Sequence, residues 1–277
     1  MDLEQYRRES LANWDRLADN WASRRAYLWE ATGVVGKRMV KRLAPEPGQT
    51  VLELAAGTGD TGFEAARLLV PGGRLISTDF SPEMVAHAER TGAEQGLDNV
   101  EHRVLDAERM DLDDASVDGV LCRWGYMLMA DPAAALRETR RVLRPGGRLS
   151  FAVWGPPDRN DWAMAPGMVL VEAGHLPPPE PGTPGIFAMA DPARIEQLVT
   201  EAGFDEPEIE QVEVRWGYAD ADEHWQLTLE LAGPLSEAIS KLEPQQVESV
   251  RLEVRKRIDP LLAEGGVTGQ CHVITAS

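Results

Sequence analysis

Three glycines and two acids carry the first chemical signal in this chain of 277 residues. Gly57, Gly59 and Gly62 fall at G-x-G-x-x-G spacing, with Glu53 ahead of them and Asp60 between them. An apolar run, Val51 to Ala55, precedes the glycines, and an amphipathic helical pattern, Phe63 to Leu69, follows. Strand, glycine turn and helix present a nucleotide-type ligand to backbone N–H groups and to the positive end of a helix. A dinucleotide is one such ligand. A carboxylate inside the turn repels its diphosphate, however, and suits a ligand with a cationic end.

Further motifs follow in order. Ile76-Ser77-Thr78-Asp79-Phe80-Ser81 ends a strand on an acid placed to accept both hydroxyls of a ribose. Leu105-Asp106-Ala107-Glu108 follows the third strand, and Arg137 to Arg148 contains a helix followed by Arg144-Pro145-Gly146-Gly147. With these residues the chain resembles the class I S-adenosylmethionine-dependent methyltransferases, most of all the small-molecule branch that contains the ubiquinone and menaquinone enzymes. The resemblance is well defined over residues 45–154. S-adenosylmethionine carries the cationic amino acid end and the sulfonium that acids at the turn suit. The resemblance implies an α/β, Rossmann-like sheet of seven mostly parallel strands in the order 3-2-1-4-5-7-6, the last antiparallel, beneath a helical lid. It implies a cofactor site drawn from Glu53, Ala55, Gly57, Thr58, Gly59, Asp79, Phe80, Met84, Asp106, Ala107 and Arg123. Asp106 would hold the adenine amino group, and the next backbone N–H would read the ring. The N-terminal helices would fold over the cofactor, with Trp14, Trp21 and Tyr27, together with Trp124, facing the acceptor.

Methyl transfer from a sulfonium is an in-line displacement whose leaving group is already activated. The protein must align the acceptor, exclude water and, for some acceptors, remove a proton. No strong catalytic signature is required, and none stands out. Tyr126 follows strand 4 with Arg123 and Trp124, at the carboxyl edge where ligands bind in such sheets. His175 and His224 lie in capping segments and are candidate bases, although a lone histidine is more often a packing or surface residue. Tryptophans at helical spacing also suit plain core packing. Asp158, Asn160 and Asp161 resemble the ligands of magnesium-dependent catechol-type methyltransferases. The matching acid after strand 4 is replaced by Cys122-Arg123-Trp124-Gly125-Tyr126, so no metal is expected.

The acceptor is narrowed by exclusion. The Asn-Pro-Pro-aromatic motif of amino-methylating nucleic-acid enzymes and the Pro-Cys nucleophile of cytosine enzymes are absent. Two cysteines are too few for arsenic methylation in its usual form. An aromatic, Met-rich and Pro-rich cap suggests a small apolar or aromatic acceptor of secondary or quinone metabolism, methylated at O, C or N. Two other readings stay open. A nicotinamide-dependent oxidoreductase keeps the glycine spacing and Asp79, but is opposed by Asp60 and lacks a Tyr-x-x-x-Lys pair. A non-catalytic protein that has kept the cofactor pocket is the other.

The elements that must position these residues are legible from periodicity. Residues 1–43 read as a helical lid, with Leu11, Trp14, Leu17, Ala18 and Trp21 on one face. Residues 44–277 read as the methyltransferase core, with cap insertions near 155–190 and 221–264. Alternating strands and helices predict a mostly parallel sheet with right-handed crossovers. Ser81-Pro82 and Asp131-Pro132 start helices. Residues 155–190, rich in Pro, Gly and Met, read as loop or cap rather than regular structure. A formal charge of -18 disfavours nucleic acid and anionic membrane as partners. Cys122 and Cys271 show neither disulfide nor metal spacing, and no signal peptide or long apolar run is present, which points to the cytoplasm. A homodimer is compatible with the chain, which carries nothing that tests it.

Overall fold

The computed structural model describes residues 2–178 and 182–277. Two helices come first, α1 (Leu3–Ser23) and α2 (Arg25–Leu43). Asp2 caps α1 by accepting from the Glu4 and Gln5 N–H groups. The helical region expected over residues 1–43 divides at Arg24, whose φ of -96° and ψ of 5° leave the helix. The sheet then begins with β1 (Thr50–Leu54), α3 (Asp60–Leu69), β2 (Arg74–Asp79), α4 (Pro82–Glu94) and β3 (Val100–Val104). It continues with β4 (Val117–Arg123), α5 (Pro132–Val142) and β5 (Leu143–Trp154). Beyond β5 lie α6 (Asp161–Glu172), α7 (Pro192–Glu201), β6 (Glu208–Trp216), α8 (Ala221–Leu231), α9 (Gly233–Ser240), α10 (Pro244–Ala263) and β7 (Val267–Ala276).

The seven strands lie in the order β3-β2-β1-β4-β5-β7-β6, as the resemblance implied. β7 runs antiparallel to both β5 and β6, and the other pairs are parallel. Helices cover both faces, so β1, β4 and the second half of β5, from Leu149 on, are largely buried. Glu53 interrupts β1 and is treated below. The order of strands reverses between β1 and β4, and the carboxyl ends of strands that part in this way flank a crevice. Among the described residues no helix is long and apolar enough to cross a membrane.

Residues 155–190 correct the sequence reading, because α6 is a regular helix of 12 residues. Pro166 and Gly167 read locally as breakers. Burial of Ala165, Val169 and Leu170 supplies the tertiary gain that overrides them. Pro166 lacks an N–H, so the carbonyl four residues earlier, on Trp162, loses its helical donor. The start of the cap expected over 221–264 is divided into α8 and α9, which part at Ala232. There Pro234 frees the carbonyl of Glu230, which accepts instead from Asn20 Nδ2 of α1 at 3.0 Å.

Candidate active site

The glycine turn is built around two buried acids. Glu53 is 2% exposed. Its Oε1 accepts the Gly62 N–H at 2.7 Å and its Oε2 accepts Ser77 Oγ at 3.2 Å. Burial raises its pKa to about 8. A Cβ at Gly62 would overlap Glu53 Oε2, and one at Gly59 would overlap the Phe63 ring. Both glycines therefore serve internal packing. Gly57 shares the positive φ of Gly59, +56° against +88°, but differs in its surroundings: a Cβ there would meet no atom within 4 Å. It borders the space in which a cofactor can lie. Asp79 closes this side, accepting the Gly57 N–H at 2.9 Å on Oδ2 and the Ser81 N–H at 3.0 Å on Oδ1. A carboxylate offers about four lone-pair sites, so acceptor capacity is left for hydroxyls. Burial pushes its pKa up to about 6. Inside the turn, Thr58 Oγ1 donates to Asp60 Oδ2 at 2.9 Å, and Arg25 of α2 pairs with Asp60 Oδ1 at 2.6 Å.

The remaining expected cofactor residues lie on the same edge. Phe80 follows β2 and is half-buried, and the buried Met84 donates its N–H to Ser81 Oγ at 3.2 Å. Asp106 follows β3, half-buried, with Oδ1 accepting the Glu108 N–H at 2.9 Å, beside the buried Ala107. An open glycine cradle, a carboxylate with spare acceptor capacity and a second acid one strand away match the demands of a nucleoside with a charged tail.

Across the crevice, β4 ends in Arg123 and Trp124. Ala55 and Trp124 both adopt left-handed backbone, with φ of 50° and 59°. A Cβ at Gly125 would come within 2.7 Å of Ala55 Cβ, so the two turns touch. Positive φ is uncommon in residues other than glycine, and such strain collects at functional sites. Arg123 donates to Thr32 Oγ1 at 2.8 Å, with its guanidinium 5.7 Å from the Trp29 ring and 4.8 Å from the Trp124 ring.

From Trp124 a cluster of rings runs under the cap. Trp124 stacks on Trp154 at 4.4 Å, and Trp162 contacts Trp154 and Trp216 at 4.9 Å each. Tyr218 stacks on Trp216 at 6.0 Å, Tyr27 of α2 lies 6.4 Å from Trp216, and Tyr218 meets His224 edge-on at 4.9 Å. His224 is 1% exposed, and its Nε2 lies 2.8 Å from the Trp162 carbonyl freed by Pro166. A carbonyl only accepts, so Nε2 carries the proton and Nδ1 is a bare lone pair. Burial holds the pKa of this ring below the usual histidine value. Trp124 Nε1, Trp216 Nε1 and His224 Nδ1 are buried without a hydrogen-bond partner.

α1 lies over this edge. Tyr6 donates to the Leu128 carbonyl at 2.8 Å, and Arg7 Nε donates to Glu108 Oε2 at 3.1 Å. Ser81 Oγ donates to Asp15 Oδ1 at 2.5 Å, and His87 Nε2 lies 2.8 Å from Asp19 Oδ1.

Several placements differ from the sequence reading. Tyr126 is fully buried, edge-on to Phe151, with its hydroxyl bonded to Thr139 Oγ1 at 2.7 Å, and so faces the core rather than the crevice. His175 sits past the end of α6, its N–H on the Leu170 carbonyl at 2.8 Å. It lies roughly 20 Å along the helix from Trp162, at 1.5 Å per residue. Trp14 and Trp21 pair with each other at 5.5 Å, and Trp21 Nε1 donates to the Leu231 carbonyl at 3.2 Å. They fasten α1 to α8 rather than joining the ring cluster. Asn160 is wholly buried, donating to the carbonyls of Gly155, Pro156 and Gln270 and accepting from Trp162 Nε1 and the Gln270 N–H. Its amide is spent on structure. Sequence reasoning missed Arg25, Trp154, Trp162, Trp216 and Tyr218. Trp154 and Trp216 each end an apolar strand pattern, the one local signal that could have flagged them.

Residues 45–156 match a family model described as a methyltransferase domain. Nocamycin O-methyltransferase of Saccharothrix syringae is 30% identical over 232 residues, 78% of this chain and 77% of that protein. Demethylmenaquinone methyltransferase of Clavibacter sepedonicus is 31% identical over 173 residues, 59% of this chain and 69% of that protein. For two other curated relatives the chain spans only about a third of their length, 33% and 32%. Among solved structures, the YcgJ protein of Bacillus subtilis shares the fold at 15% identity, with a TM-score of 0.57 over 88% of this chain and 97% of that one.

Proposed function

Because the chain belongs to the class I S-adenosylmethionine-dependent methyltransferases, we propose that it methylates a small apolar or aromatic molecule by in-line transfer. The observation that best supports this reading is the meeting of two unlike surfaces at the β1/β4 crevice: an acid-and-glycine turn on one side, and rings beginning at Trp124 on the other. When bound, S-adenosylmethionine supplies a methyl carbon already activated by the sulfonium charge. In this proposal Asp79 accepts the ribose hydroxyls with its unused lone pairs, and Gly57, Thr58 and Gly59 follow the amino acid end with their backbone. Asp106 holds the adenine amino group, the Ala107 N–H reads the ring, and Phe80 and Met84 supply apolar contact. Glu53 acts at one remove, holding the turn through Gly62. Arg123 and Trp124 border the reacting end, and the rings beyond them align the acceptor and exclude water. Residues 1–43 act as a lid, fastened through Arg7 to Glu108, Asp15 to Ser81 and Arg25 to Asp60.

Calorimetric titration with S-adenosylmethionine, S-adenosylhomocysteine and NAD in parallel tests the reading. Micromolar binding of the first two with silence for NAD is expected. Binding of NAD alone overturns it.

A further inference from the structure

Building on that reading, we propose that His224 positions the acceptor. Its bare Nδ1 accepts a hydrogen bond from a hydroxyl on a planar aromatic ring docked against Trp162, Trp216 and Tyr218, while Trp216 Nε1 donates to a second oxygen of the same molecule. The acceptor class is then a hydroxylated, oxygen-rich aromatic, not an amine or a plain hydrocarbon.

Three observations converge on this. Buried side-chain polar atoms in folded proteins nearly always have partners, yet this one cluster holds two indole donors, the Tyr27 hydroxyl and an imidazole acceptor without any. A group left in this state forfeits a hydrogen bond, and a ligand of complementary pattern restores it. The imidazole is also locked. Pro166 withdraws the helical donor from the Trp162 carbonyl, His224 Nε2 takes its place at 2.8 Å, and Nδ1 is thereby fixed as an acceptor. An ammonium has no use for two indole N–H donors, and a hydrocarbon satisfies none of these atoms. Finally, the cluster is graded in burial: Trp124, Trp162 and Tyr218 are half-buried, whereas Trp154, Trp216 and His224 are buried. In the proposal the ring docks over Trp162 and Tyr218, the half-buried residues that contact His224.

The role is positioning rather than proton removal at the methylated atom. Trp154 and Trp162 stand between Trp124, at the cofactor crevice, and His224. The hydroxyl held by His224 is therefore distal to the atom that receives the methyl group.

The test uses the full chain saturated with S-adenosylhomocysteine, whose own titration is recorded first. Beta-naphthol and its methyl ether serve as probes, having the same ring with and without a hydroxyl donor. Beta-naphthol is expected to bind about tenfold more tightly, the value of one neutral hydrogen bond. His224→Phe is expected to abolish the preference. His224→Asn, whose Oδ1 stands near the place of Nδ1, is expected to retain part of it. In the wild-type protein the Nδ1 resonance of His224 should move on adding beta-naphthol and stay still with the ether, a readout that needs no variant to fold. Equal affinities, a preference that survives in His224→Phe, or an unmoved Nδ1 resonance each overturn the proposal. Silence for S-adenosylhomocysteine with the naphthol preference intact would instead sink the cofactor reading and leave His224 in place.

Discussion

At the glycine turn the buried acids are answered by donors that lie close at hand. Glu53 holds the Gly62 N–H, Asp79 holds the Gly57 and Ser81 N–H groups, and Asp60 holds Thr58 and Arg25. On the far side of the same crevice the ring cluster draws on α2, β4, β5, α6, β6 and α8, and leaves two indole N–H groups and an imidazole nitrogen without partners. The turn's carboxylates are held by donors of the protein itself, although Arg25 Nε and Thr61 Oγ1 beside them have no partner, whereas in the proposal above the ring cluster takes its partner from a ligand. Cofactor recognition of this kind rests on backbone geometry that tolerates little change. Acceptor recognition rests on side chains that can be exchanged one at a time, which is how one fold serves many substrates.

Substitutions at the turn should break the contrast first. Gly62→Ala drives a methyl group into the buried Glu53 carboxylate and is expected to cost about 3 kcal/mol in urea unfolding, the upper range for overpacking. Gly57→Ala, facing open space, should cost only about 1–2 kcal/mol through its left-handed backbone while weakening cofactor binding at least as much. If the two variants destabilise equally, the division between packing and ligand glycines is wrong. Asp79→Ala should lower cofactor affinity by about 1–3 kcal/mol in calorimetry, because it strips the partner from ribose hydroxyls. Unchanged affinity would remove Asp79 from the site.

The buried acids also set the response to pH. The folded pKa of Asp79, about 6, lies above its ordinary 3.8, and that of Glu53, about 8, above its ordinary 4.5. The folded state thus binds these protons more tightly than the unfolded one. Their contribution to stability is whole below the ordinary values and is lost as pH rises through about 6 and then about 8. Unfolding midpoints should fall over that window, and Glu53→Gln should flatten the upper part. Cofactor affinity should move the other way, weakening below about 6 as Asp79 gains its proton and loses acceptor capacity. Parallel trends in stability and affinity would refute this assignment. The smallest effect belongs to Tyr126→Phe. Losing the bond to Thr139 should cost about 1 kcal/mol of stability and leave turnover unchanged. A large loss of turnover would return Tyr126 to the site.

Much of the cofactor side was legible in the sequence because its contacts are short in range or belong to ordered motifs. The capped starts of α4 and α5 and the cluster of acids at the strand ends followed from residues read in place, whereas the strand order followed from the resemblance those motifs carry. The roles within the motif were less legible. Nothing in the spacing of Gly57, Gly59 and Gly62 separates the glycine that faces open space from the two that face Phe63 and Glu53. Arg25 as partner of Asp60 was also out of reach, since the two are joined only by the docking of α2 on α3.

The acceptor side reverses this. Trp154, Trp162 and Trp216 carry no common spacing, and Pro166 read as the end of regular structure rather than as the residue that turns a carbonyl over to His224. The sequence by itself determined the order of strands and helices, the glycine turn and its acids, because periodicity, capping and turn chemistry act over a few residues. Only the tertiary structure decided which rings meet, that Tyr126 faces the core, and which nitrogen of His224 is bare. Those outcomes depend on how elements far apart in the chain come together, and no local propensity carries that information.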